Sequence, residues 1–282
     1  MALPRLYLAP DMLPAGARAS DDALVLSEMH SHYLRHVLRM KHGMPLLLFN
    51  AAAGEWRAEL VMEAREAPLK VRLAEPTRPP LAAEGHAPDI WLLCSPLKPA
   101  RLALALEKAT ELGVRAVHLV RCAFTQPPPP ALPRLQRVMI EAAQQCGRLD
   151  VPLLHPPRRL EDLLQSWTPR RLVLWCDELA AAGAEDTGDA GTGDAGTTWL
   201  DARALAAQTA RQWAVLVGPE GGFSETERRF LLRLPHVRRL ALSAHILRAE
   251  TAAAAALAIA SFCLRPAAAD APATDMPAPS PS

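Results

Sequence analysis

The sequence predicts an α/β protein in two parts, and three observations carry that expectation. From residue 89 onward, short apolar runs alternate with amphipathic stretches, the pattern of a mostly parallel sheet with crossover helices. Residues 1–78 hold several strand-like runs around a single helical stretch, as a small β-rich domain does. Between them, residues 79–88 read PPLAAEGHAP, three prolines and a glycine with little apolar periodicity, which marks a linker.

Bulk properties narrow the class. The chain has 282 residues, half of them hydrophobic, which is material for one large domain or two ordinary ones. Its five cysteines (94, 122, 146, 176 and 263) are scattered without a C-x-x-C pair, which argues against a zinc site and a disulfide framework. The start, MALPRLYLAPDMLP, lacks a charged-then-apolar leader pattern, and the longest apolar stretch, 251–264, is too short and alanine-rich for a bilayer. A reducing, cytoplasmic setting with no membrane and no metal is therefore expected. The net charge is only +1, but residues 171–200 carry six acidic groups against one basic, and residues 267–282 two against none. The remainder stands at +8, the local positive surface that a phosphate backbone requires.

Within the first part, LPRLYLA is a candidate strand with Arg5 and Tyr7 on one face by period two. Ser27 to Met40 is the one helical pattern, with Leu34, Val37 and Leu38 on a shared face and Gly43 beyond it. Residues 44–49 and 55–62 form a hairpin pattern about Gly54, and LKVRLAEP supplies another strand. His30, His32, His36 and His42 share helical spacing, but no cysteine joins them to make a metal set.

In the second part, Asp89–Cys94, 114–120 and Arg171–Cys176 read as strands. Arg101–Leu112, closed by Gly113, and 133–145 read as helices. Residues 180–198 contain the low-complexity run GDAGTGDAGTT, read as a flexible insertion, and 267–282 read as a disordered tail. Residues 89–266 thus make the second domain.

Its centre is the stretch from Trp213 to Ala256. The apolar run 214–217 stops at Gly218-Pro219, and Gly221 and Gly222 follow; without a Cβ, such residues let backbone approach a ligand closely. Ser224 and Glu227 have the spacing of a capping box that opens a helix. A second apolar run, 237–242, ends in a loop at 243–251 before an alanine-rich helix. Taken singly, GPEGG also reads as a tight surface turn, and Arg248 with Glu250 as a solvated ion pair. Taken together, two strands deliver two loops that can meet over one pocket.

That joint pattern, GPEGGFSETE followed at this interval by L-x-x-x-ILRAETA, resembles the SPOUT-class RNA methyltransferases. Within that class it is similar to the family that methylates uridine N3 in bacterial 16S ribosomal RNA. HSHYLRHVLRMKHG, Lys98, EKATELGV and EAAQQCGRLDVP extend the likeness from about residue 5 to 264. The resemblance implies an N-terminal PUA-like β-barrel domain that holds RNA and a C-terminal SPOUT α/β trefoil-knot domain. It also implies the cofactor S-adenosylmethionine, the small ribosomal subunit as partner, and a homodimer with a composite site.

On the same resemblance, backbone groups of Val217, Gly218, Gly222, Leu242, Ile246 and Leu247 would hold the cofactor, with Pro219, Glu220, Gly221, Ser243 and Thr251 around them. Arg248 would stabilise a uridine anion, with Glu220 or Glu250 as base or orienter. Arg5, His32, Arg35, Arg39, Lys98, Gln145 and Arg148 would meet RNA. Two departures accompany it. Ser243, Ala244 and His245 follow Leu242 where the family has a glycine and an arginine, and Thr125-Gln126 stands where it has arginine-serine. A SPOUT enzyme acting on a ribose 2′-oxygen of tRNA, and a non-catalytic ribosome-assembly factor, are the alternative readings.

Overall fold

The computed structural model describes residues 3–20, 22–63, 67–83, 89–126, 131–168, 170–178, 199–200, 205 and 212–264. The expected insertion at 180–198, the tail at 267–282 and residues 84–88 of the expected linker lie outside them.

The first part is a five-stranded sheet in the order β1-β3-β4-β5-β2. It is built from β1 (Arg5–Tyr7), β2 (Leu24–Val25), β3 (Pro45–Asn50), β4 (Gly54–Val61) and β5 (Lys70–Arg78). β4 shifts register against β5 twice, near Trp56 and near Ala58, and such irregularities bend a strand and curl its sheet. Leu6, Leu34, Leu46, Leu48, Leu60 and Val71 fill the concave side. The result is a curled PUA-like half-barrel.

The expected helix from Ser27 to Met40 is shorter than its pattern. α1 (Glu28–His32) runs into a wider π turn at Tyr33–Val37, and Arg39 has a left-handed φ of 52°. The Leu38 N–H donates to the Tyr33 carbonyl and the Met40 N–H to that of Leu34. Widening lets Leu34 and Met40 both reach the core, while Val37 and Leu38 stay exposed. The short segment obeys its two anchors instead of the helical period.

The second part is a seven-stranded parallel sheet in the order β10-β12-β9-β11-β6-β7-β8. Its strands are β6 (Asp89–Cys94), β7 (Ala116–Arg121), β8 (Leu153–Arg159), β9 (Arg171–Cys176), β10 (Trp199–Leu200), β11 (Gln212–Val217) and β12 (Val237–Leu240). Period two sorts their side chains into two cores. Ile90, Leu92, Trp213, Val215 and Leu174 face α2 (Pro99–Glu111), α3 (Leu132–Cys146) and α6 (Ala249–Leu264). Leu93, Ala214, Leu216, Val173 and Trp175 face α4 (Leu160–Gln165) and α5 (Glu225–Leu232). Three layers follow, as the alternation of strands and helices anticipates. β8 and α4 carry no distinct sequence signal, because HPPRR lacks alternation and places two prolines in an edge strand. No helix among the described residues is long and apolar enough to cross a membrane.

The two sheets are joined at the C-terminal end of α3. Arg5 Nη1 donates to the carbonyls of Ala143 (2.9 Å) and Gln144 (3.1 Å), and Nη2 to those of Gly147 and Arg148. Its Nε pairs with Glu55 at 2.7 Å, and its guanidinium lies 4.0 Å from the Phe49 ring centroid. A helix leaves its last carbonyls unpaired and its C-terminus partly negative, so one buried cation satisfies both demands. Arg148 does the same for α2, donating to the Thr110 (2.7 Å) and Val114 (3.2 Å) carbonyls while pairing with Asp150.

Both arginines, expected to meet RNA, thus have structural partners inside the chain that engage all the guanidinium donors of Arg5 and most of those of Arg148. Arg5→Ala leaves Glu55 buried without its cation and should destabilise the protein by about 3 kcal/mol or more. A lower denaturation midpoint, read at both sheets, is the expected measurement.

Candidate functional site

The glycine loop after β11 and the loop after β12 do meet. A cleft of about 260 Å³ opens at the C-terminal ends of β9, β11 and β12, where ligands of parallel sheets characteristically sit. Val217, Gly218, Pro219, Glu220 and Gly222 form one wall, and Leu242, Ser243, Ile246, Leu247 and Arg248 the other. Gly221 and Thr251 are not among the lining residues; Thr251 is exposed on α6.

The first loop is a fixed turn. The Gly222 N–H donates to the Pro219 carbonyl at 2.9 Å, and Gly222 adopts φ 71°. A Cβ on Gly222 would stand 1.9 Å from Glu178 Oε1, and one on Gly218 would stand 2.6 Å from the Phe223 ring. Glycine is needed at 222 on two counts, conformation and space. Glu178 accepts from the Phe223 N–H and is bound to Arg228, which also holds the buried Asp177; Arg239 donates to the same Asp177 at 3.0 Å. This network seats the loop. The expected capping box is present as well: Ser224 Oγ accepts from the Glu227 N–H, and the Ser224 N–H donates to Glu227 Oε2 at 2.8 Å.

The second wall is apolar and open, with Ile246 70% exposed. An aliphatic side chain in water beside a turn of approachable backbone is what a flat, partly apolar ligand requires. Ser243, which takes the place of a glycine, causes no strain. Among the described residues, only Arg39 is a non-glycine with positive φ, and Ser243 Oγ accepts from the His245 N–H at 3.0 Å. His245 lines the cleft.

Arg101 is the residue that the sequence reading missed. It lies between the walls, with Nη1 3.7 Å from Glu220 and Nε 3.9 Å from Glu250. A cation in the first turn of α2 sits where the helix dipole disfavours it, so its presence signals carboxylate partners. The two carboxylates are thereby separated in role. Glu220 lines the cleft, whereas Glu250 is not among the lining residues, and its Oε2 is buried without a partner. Glu250 does not pair with Arg248, whose exposed guanidinium makes no ion pair or hydrogen bond among the described residues. Of the two roles expected for Glu250, base or orienter, its place beside Arg101 favours the second. Burial pushes the Cys94 and Cys176 thiols up to about 12, so neither supplies a thiolate beside the cleft.

The residues expected to meet RNA are dispersed. Lys98 is at the cleft mouth, its backbone N–H 3.4 Å from Glu220 Oε1 and its side chain exposed. His32 and Arg35 border a hollow on the β-rich part, where Arg35 donates to the Ala67 carbonyl, and Arg39 is exposed nearby in sequence. Gln145 is exposed at the end of α3, beside the junction with the first sheet, and is not among the cleft residues.

Comparison with known proteins adds an independent finding. Residues 85–261 match the family model described as an RNA methyltransferase domain. The chain is 29% identical over 232 residues to the ribosomal RNA small subunit methyltransferase E of Rickettsia conorii, covering 82% of this chain and 86% of that one. The Synechocystis protein of the same name is 26% identical over 267 residues, covering 90% and 76%. Among solved structures, a Legionella pneumophila protein bound to the cofactor S-adenosylmethionine superposes with a TM-score of 0.71, at 23% identity over 93% of this chain and 98% of that chain. The methyltransferase E of Neisseria gonorrhoeae, also bound to S-adenosylmethionine, gives 0.65 at 24% identity over 91% and 96%.

Proposed function

Because the chain belongs to the RNA methyltransferase domain family, we propose that it methylates N3 of a uridine in 16S ribosomal RNA, using S-adenosylmethionine. The observation that carries the reading is the cleft itself, a Gly222 turn with no room for a Cβ facing an exposed aliphatic wall, with the exposed cation Arg248 at its edge. These residues fit the cofactor: backbone of Val217, Gly218, Gly222, Leu242, Ile246 and Leu247 can bond adenine and ribose while Ile246 and Leu247 cover the purine. Bound there, the cofactor supplies an electrophilic methyl group on sulfonium.

The chain supplies the remainder. The imide N3–H must be lost before its lone pair can attack. Of the carboxylates lining the cleft, Asp177 and Glu178 are held by Arg228, so Glu220 is the one that can accept that proton, and Arg101 lies beside it. Arg248 stabilises the anion that forms at the pyrimidine. Glu250 acts through Arg101 as a positioning residue. Lys98, at the mouth, is placed for phosphate, and His32, Arg35 and Arg39 extend the basic surface onto the β-rich part. The same reading carries a homodimer, supported by Phe262, 79% exposed on α6.

Mass spectrometry of 16S ribosomal RNA nucleosides from a strain lacking the gene tests the proposal. N3-methyluridine should disappear and return on complementation. Unchanged N3-methyluridine, or loss of a tRNA ribose methylation in its place, overturns it.

A further inference from the structure

The turn after β7 stands beside the glycine loop, and nothing in the proposed mechanism uses it. It is pinned from several directions. The Cys122 N–H donates to Thr125 Oγ1 at 2.7 Å, and the Thr125 N–H to the Cys122 carbonyl at 3.1 Å. Thr125 Oγ1 is 2.8 Å from Ser95 Oγ, and the Ala123 N–H donates to Glu227 Oε1 at 2.8 Å. Ser95 and Glu227 are both buried, so the turn is tied to the interior on two sides. Thr125, a departure from the family pattern, is thus the keystone of this turn.

At the crest of that fixed turn Phe124 is 50% exposed. A Cβ on Gly221 would lie 2.9 Å from Phe124 Cβ and 3.5 Å from its Cγ, so the side chain rests directly on the glycine loop. Cations lie on the segments next to it: Arg121 three residues earlier in the chain, and Lys98 and Arg101 beside Glu220, the neighbour of Gly221. An aromatic face set at a fixed height next to segments that carry cations matches single-stranded nucleic acid, which presents bases for stacking and phosphates for charge. A second protein copy would instead favour apolar neighbours around the ring.

We infer that Phe124 is a stacking platform for a base of the RNA substrate, at or next to the nucleotide that enters the cleft. The inference rests on the RNA methyltransferase reading above. Phe124 acts on affinity and placement of RNA, and takes no part in proton or methyl transfer.

Filter binding of radiolabelled 16S ribosomal RNA separates this from the catalytic proposal, because it needs no turnover. Phe124→Ala should weaken RNA binding roughly ten- to hundredfold. Its affinity for S-adenosylmethionine should stay within about twofold, and its dependence of binding on salt should keep the wild-type slope, since no phosphate contact is lost. Phe124→Trp should restore binding. Where unmethylated small subunits accept methyl groups from the wild type, KM for the subunit should rise in Phe124→Ala with little change in kcat. Unaltered RNA affinity in Phe124→Ala overturns the inference. So does a parallel loss of cofactor affinity, which would make Phe124 a prop for the loop, or a change of subunit mass in sedimentation, which would make it a protein contact. Binding of RNA by a wild type that transfers no methyl group defeats the proposed activity alone, and the binding comparison still decides on Phe124.

Discussion

Gly222→Val should abolish binding of S-adenosylmethionine, with a loss of about 100-fold or more in titration calorimetry. The first cause is conformational: at φ 71° a β-branched residue is strained by roughly 1–2 kcal/mol. The second is spatial, since the new Cβ would meet Glu178 Oε1 at 1.9 Å. Glu178 cannot simply withdraw, because it is bound to Arg228 and accepts from the Phe223 N–H. The loop must therefore shift toward the space where the ligand lies. Pairing Gly222→Ala with Glu178→Ala removes the collision but not the strain, so the double variant should recover part of the affinity lost by Gly222→Ala alone. Unaltered affinity in Gly222→Val, with folding intact, would reject the cleft as the cofactor site.

Arg248→Ala should lower turnover about 10²-fold or more, the scale of losing one preorganised contact that acts in the transition state. Affinity for S-adenosylmethionine should change far less, because the groups proposed to hold it belong to the backbone. The structure sharpens this expectation. Arg248 makes no pair with Glu250, which lies near Arg101 instead, so the substitution breaks no ion pair among the described residues and should leave the melting temperature nearly unchanged. Single-turnover rates and thermal unfolding on the same variant give the answer. Wild-type turnover would remove Arg248 from the catalytic assignment, and a joint loss of stability and cofactor binding would make its role structural.

Much of this protein is legible in its sequence because the signals are local. Period two in 89–94, 171–176 and 212–217 sorts side chains to the two faces of one sheet, and the structure uses that sorting for its two cores. The capping box at Ser224 and Glu227 is four residues long, and it forms as spelled. The glycines of GPEGG declare a close backbone approach, and the loop motifs identified the family that the RNA methyltransferase domain match supports.

Other features depend on which distant groups the fold brings together. Arg5 and Arg148 carry the same charge as any phosphate-binding arginine, and nothing beside them in the chain tells of the helix carbonyls they meet. Only the docking of β1 on the end of α3, 138 residues away for Arg5 and Ala143, turns Arg5 into a structural cation. Arg101 and the two carboxylates near it are likewise far apart in the chain, and the separation of Glu220 from Glu250 is set by how α2 and α6 pack. The segment from Ser27 to Met40 obeys two buried anchors against its own period, because burying Leu34 and Met40 outweighs a regular helix of so few turns. Sequence by itself determined most of the element types, the two-part α/β plan and the pair of loops that line the cleft, since each follows from neighbours along the chain. The tertiary structure alone decided which charges face solvent, which face one another and which face the cleft, because electrostatic role depends on distance through space.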